Sequence, residues 1–166
     1  HRLEQMTNRD YLIRIFVITL ALSFPIFCLF HGELRGSLSK YFNSSLQPYY
    51  LLTNVLTAYL LYSLDEWKCP AIFLLILTVF PVDSHKLIHN IFAYAFFISC
   101  FKPIFNHKRL QPYVIPYLLS LVILPKSFIF TEIVCILTLC SFHSHLLYLK
   151  YKVDNTRKKQ IDEVTN

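Results

Sequence analysis

Asp83, His85 and His89 stand within ten residues, Phe80-Pro81-Val82-Asp83-Ser84-His85-Lys86-Leu87-Ile88-His89, and Glu132 interrupts a long apolar run further on. Two imidazoles four residues apart share one helix face. With a carboxylate they could hold zinc, relay a proton or bind a ligand. Three readings compete. In the structural one, Asp83 caps the fourth helix while His89 and Glu132 satisfy each other. In the second, the group is a ligand, proton or lipid-headgroup site completed by Arg35 and Lys40. In the third it is a metal-dependent hydrolase, and that reading is thin. The other histidine pair, His143 and His145, lies near the far end of its own block at i, i+2 spacing, which points the rings to different faces. No H-E-x-x-H and no serine elbow occurs. The expected sets of catalytic residues, metal ligands and cofactors are therefore empty.

Placing these groups on one side of anything requires knowing the elements that carry them. Six apolar blocks run roughly over 11–30, 48–64, 70–82, 86–101, 113–124 and 127–150. Of sixteen Lys and Arg, twelve (Arg2, Arg9, Arg14, Lys68, Lys102, Lys108, Arg109, Lys150, Lys152, Arg157, Lys158, Lys159) fall at the N-terminus, the second and fourth loops and the C-terminal tail. Four (Arg35, Lys40, Lys86, Lys126) fall in the first, third and fifth loops. Positive charge stays on the cytoplasmic side of a membrane, so the split predicts an all-α, six-span bundle with both termini cytoplasmic. Blocks three and five are short. If both were re-entrant and only four blocks crossed, Lys86 would move inside while Lys102, Lys108 and Arg109 moved outside. The split would weaken to ten against six, and six spans fit better.

Composition supports a membrane domain. At 55% hydrophobic, with mean hydropathy +0.45, 166 residues are too apolar for an ordinary soluble domain. Six spans of about 20 residues would consume roughly 120 of them, leaving one membrane domain over 1–150 and a basic tail over 151–166. The net charge of +6 edges the apolar blocks rather than forming a groove-sized patch, which predicts anionic lipid as its partner and no direct nucleic acid binding. Cys28, Cys100, Cys135 and Cys140 lie inside apolar blocks and Cys69 at a border, with no C-x-x-C, so buried free thiols are expected. The first block lacks a small-residue cleavage site and reads as a retained helix. Abundant Phe, Tyr, Ile, Asn and Lys with scarce Gly and Ala suggest AT-rich coding and a bacterial inner membrane. There the sequon Asn43-Ser44-Ser45 has no meaning.

Under this topology Asp83, His85, His89 and Glu132 gather on the outer side. Glu132 lies six residues below Lys126, about 9 Å into the membrane, and His89 reaches a similar depth. Arg14 is expected to snorkel to the inner boundary. Pro25 is expected to kink the first helix. The only two glycines, Gly32 and Gly36, form a G-x-x-x-G in a loop rather than in a span, so they do not mark a helix dimer. Spans without glycine must pack through aromatic and branched side chains. That argues against a wide aqueous pore within one protomer and leaves a pore between protomers open.

After Lys126 the chain has neither proline nor glycine, so the sixth helix could continue into the cytoplasm. Its tail is then either a solvated end supplying topology charge or a docking stalk, with Lys150, Lys152, Arg157, Lys158 and Lys159 facing a cytosolic partner.

Ser37-Leu38-Ser39-Lys40-Tyr41 before the second block, with Phe80-Pro81-Val82-Asp83 and His89 at the fourth, resembles elements of six-span membrane proteins of unknown function, the DUF998 and Frag1/DRAM-like set. The resemblance covers roughly residues 10–150 on about eight positions. It implies a multi-pass fold, marks Ser37, Ser39, Tyr41, Asp83 and His89 by position, and implies no established reaction. A looser analogy runs to the membrane subunits of two-gene phage-defence systems such as Kiwa. The function expected is a non-enzymatic, oligomeric membrane sensor or anchor that couples an envelope signal to a cytosolic partner. A small proton-coupled transporter or channel is the alternative, and a lipid-modifying enzyme the third.

Overall fold

The computed structural model describes residues 6–31, 35–123 and 128–165. Arg2, Gly32 and Lys126 of the charge and glycine patterns lie outside them. Among the described residues all regular structure is helical. The helices are α1 (Asn8–Phe30), α2 (Gln47–Tyr62), α3 (Lys68–Val79), α4 (Lys86–Asn106), α5 (Val114–Ile123) and α6 (Phe128–Thr165). Short 3-10 turns at Leu38–Asn43, Asp65–Trp67 and Lys108–Tyr113 precede α2, α3 and α5. Each apolar block thus becomes one helix.

Local chemistry explains several boundaries. Thr7 and Asp10 form a reciprocal capping box at the start of α1, each side chain accepting from the other's backbone N–H at 3.1 Å. Pro48, Pro70 and Pro116 fall in first turns, where no intrahelical N–H is missed. α3 stops at Val79 because Phe80 precedes Pro81 and is held extended (φ −99°, ψ 101°). The helix runs on through Pro25 in α1 and Pro103 in α4.

α1 packs on α2, α2 on α3, α3 on α4 and α5 on α6, and α1 closes the ring against α6. α5 meets α4 largely through the Lys108–Tyr113 turn. The main core joins Trp67 and Phe142 to Leu61, Leu74, Phe97, Ile104 and Tyr117, and a smaller one joins Phe24, Tyr41 and Tyr50 under the first loop. Outward faces are apolar as well: Phe16, Leu52, Ile98, Leu119, Val122 and Leu137 are all more than half exposed. Such a belt is foreign to a water-facing surface.

Among the described residues three helices are long and apolar enough to cross a membrane: α1, α4 and α6. α2, α3 and α5 have 16, 12 and 10 residues, or about 24, 18 and 15 Å. The sixth helix runs 38 residues, through the tail, without a break.

Candidate functional site

A cavity of about 120 Å³ runs inside the ring, walled by α1, α2, α3, α4 and α6. Phe24, Tyr50, Phe96 and Phe97 give it an aromatic and otherwise mostly apolar wall, with Glu132 and His89 toward one end and Trp67 and His143 toward the other.

At the Glu132 end the first loop folds onto α6. Gly36 O accepts from Ile129 N at 3.1 Å, satisfying an N–H in the first turn of α6 that has no helical partner. Glu132 Oε2 accepts from Leu38 N at 2.7 Å, and Oε1 accepts from Ser37 Oγ at 2.8 Å. Because Ser37 spends its one hydroxyl proton on the carboxylate, Ser39 Oγ, 2.8 Å away, must donate to Ser37. Ser37 Oγ also caps the 3-10 turn by accepting from Ser39 N at 3.3 Å. Tyr41 is fully buried and its hydroxyl oxygen accepts from Arg35 N at 3.1 Å. Burial raises the Tyr41 pKa.

The predicted cluster is therefore rearranged. His89 does not pair with Glu132; its Nδ1 donates to Phe80 O at 2.7 Å, closing the α3–α4 turn, although both side chains line the cavity. Asp83 does not cap α4. It is exposed and accepts from Asn43 Nδ2 at 2.6 Å, tying the first loop to the third, while His85 occupies the cap position without a side-chain cap bond. His85 is exposed, 2.9 Å from Ser84 Oγ, and shares no site with His89. Arg35 and Lys40 do not complete an anion site. The Arg35 guanidinium lies over the Tyr41 ring at 5.6 Å and donates to Lys40 O at 3.4 Å, and Lys40 is exposed. Among the described residues no three His, Cys, Asp or Glu side chains converge as metal ligands do.

The other end holds a network that sequence reasoning missed. Arg14 does not snorkel: it is 6% exposed, donating to Glu66 Oε1 and to His143 Nδ1, each at 2.8 Å. Arginine has no acceptor, so His143 Nδ1 is the unprotonated nitrogen of that ring. His107 Nε2 donates to Glu66 Oε2 at 3.1 Å. One carboxylate thus joins the start of α1, the α2–α3 turn and the end of α4, and Arg14 extends the link to α6. Burial raises the Glu66 pKa. Hydrogen bonds and positive charge from His107 and Arg14 outweigh it and hold the group from 4.5 down to about 2. Trp67 packs on His143 with ring centroids 4.7 Å apart. Its Nε1 and Arg14 Nε are buried without a hydrogen-bond partner. The available signal was polarity inside apolar blocks (Arg14, His143), with Glu66 and His107 in loops assigned to the same side.

In the tail, Lys152, Arg157, Lys158 and Lys159 are exposed. Lys150 departs from that expectation. It is 9% exposed and pairs with Asp154 at 2.8 Å one turn on, so it is a helix contact rather than a docking group. Cys28, Cys100, Cys135 and Cys140 are buried free thiols, and Cys69 is exposed.

Comparison with protein-family models, with curated proteins and with solved structures finds no match for this chain.

Proposed function

We propose that the chain is a non-enzymatic integral membrane subunit, a sensor or anchor, that passes the state of its internal cavity to a cytosolic partner through α6. The continuity of α6 carries this reading. One helix bears Glu132, then the cavity wall at Cys135, Ile136 and Leu139, then His143 at the Arg14 network, and then the exposed basic stretch Lys152–Lys159. A rigid element touching both a cavity and a distant surface is the simplest physical coupling between them.

In this reading all six helices cross, with short α2, α3 and α5 accommodated by local thinning and by their longer neighbours. The apolar outer belt supports lipid contact or a second copy of the chain. The charge bias supports placing the Glu66 end in the bacterial cytoplasm and the Glu132 end outside. Cys69 tests the orientation, since it is the exposed thiol and opens α3 at the Glu66 end. An impermeant maleimide should label inverted vesicles and spare intact cells, and labelling of intact cells would reverse the assignment. Deletion of residues 152–166 tests the coupling. It should abolish co-purification of the cytosolic partner while leaving the thermal transition of the bundle in place, and an unchanged set of co-purifying proteins would remove the docking role.

A proton-coupled transporter is favoured by one observation, a continuous cavity lined by both Glu132 and His143. In liposomes Glu132→Gln would then abolish flux. For the sensor, the wild-type chain shows no such flux.

A further inference from the structure

We infer that the cavity is a binding site for a small lipophilic amine, its ammonium group held by Glu132 and its apolar body by the aromatic wall. The inference deepens the sensor reading, on which its biological meaning rests, by naming the chemistry that the cavity takes.

Glu132 supplies the recognition group. A carboxylate offers about four lone-pair sites, and Glu132 spends two of them on Ser37 Oγ and Leu38 N. Both donors are neutral, and among the described residues no Lys or Arg side chain forms an ion pair with it. Its side chain lines the cavity with two acceptor sites that no described residue uses. The other titratable groups on the same cavity are His89, His143, the Tyr50 hydroxyl and the Cys135 and Cys140 thiols, none of which supplies a fixed positive charge. His89 Nδ1 is committed to Phe80 O and His143 Nδ1 to Arg14. An ammonium that enters beside this carboxyl can hydrogen-bond to it and pair with it, and the low dielectric strengthens that pairing.

The remaining wall decides what sort of cation. One carboxylate is too few ligands for a metal ion. An anion meets no lysine or arginine on the cavity wall, since neither Arg35 nor Lys40 lines it. Phe24 and Tyr50 meet edge to face with centroids 5.7 Å apart and line the cavity together with Phe96 and Phe97. Aromatic faces attract cations and accept an apolar body. Volume sets the size. The cavity holds about 120 Å³, and an apolar protein cavity of about 150 Å³ takes up benzene. The cavity is the smaller of the two, so a short branched alkyl group bearing an ammonium fits, and a substituted ring or a whole phospholipid does not.

The test uses the full chain purified in maltoside micelles, with isobutylamine as the cation, isobutanol as its neutral counterpart and isobutyrate as the anion, each titrated calorimetrically. Isobutylamine should bind saturably at least tenfold more tightly than isobutanol, and isobutyrate should not bind. Glu132→Gln should remove the tenfold preference while keeping isobutanol affinity, which also reports that the cavity is intact. Ala93→Phe, which fills the cavity from α4, should abolish both. Equal affinity for isobutylamine and isobutanol in the wild type, or no saturable binding of either, overturns the inference whatever the variants do. The chain lacking residues 152–166 separates the two proposals. Amine binding with no partner dependence on the tail defeats only the sensor reading, and tail-dependent partner capture without amine binding defeats only this one.

Discussion

Glu66 and Glu132 are both carboxylates withdrawn from bulk water, Glu132 on the cavity wall and Glu66 in the network beyond its His143 end, and the protein treats them in opposite ways. Glu66 receives an arginine and a histidine, charged or chargeable donors from two other elements. Glu132 receives a serine hydroxyl and a backbone N–H from a single loop. An arginine brings a full counter-charge that cancels the field of the carboxylate, whereas a hydroxyl and an N–H bring only dipoles. The contrast separates a clasp from a receptor. A compensated charge fastens four parts of the chain together, whereas an uncompensated one keeps capacity for something that arrives.

Giving both positions the same substitution is the sharpest way to break that contrast. Glu66→Gln should cost about 3 kcal/mol of stability, since it leaves Arg14 buried without its counter-charge. Thermal unfolding in micelles measures it, and a loss below about 1 kcal/mol would show that the clasp is ornamental. The pH profile sharpens the same point. Because the Glu66 pKa is depressed from 4.5 to about 2, its contribution is complete above pH 4.5 and is lost as pH falls toward 2. An acid limb in that window should be present in the wild type and weaker in Glu66→Gln, and identical limbs would assign the titration elsewhere. Ser37→Ala, which takes one of two donors from Glu132, should cost about 1.5 kcal/mol. Glu132→Gln should cost least, within about 1 kcal/mol, because a glutamine carbonyl can still accept from Leu38 N and no buried cation is stranded. If it matched Glu66→Gln, the two ends would be alike and the comparison would fail.

How far the sequence reached differs between these ends. On the Glu132 side it selected the right neighbourhood: Ser37, Ser39, Tyr41, His89 and Glu132 do come together around the first loop and the cavity. The partners were wrong, because depth along a helix says how far in a group lies but not which way it turns. His89 turned back to Phe80 and left Glu132 to a loop some ninety residues earlier in the chain, at separations of 94 and 95. On the Glu66 side Arg14 looked like a boundary lysine or arginine, since the snorkelling rule has no term for a carboxylate arriving from the next loop.

Hydropathy and charge are properties of residue types, so the chain by itself determined its six apolar blocks and its all-helical class, and allowed without requiring a sixth helix that runs on through the tail. Pairing is a property of positions in space. Only the tertiary structure decided that Arg14 meets Glu66 and His143 across 52 and 129 residues, that Asp83 is spent on Asn43, and that Glu132 remains without a cation. Ring closure of α1 against α6 brings the first helix beside the last, and no local pattern encodes that approach.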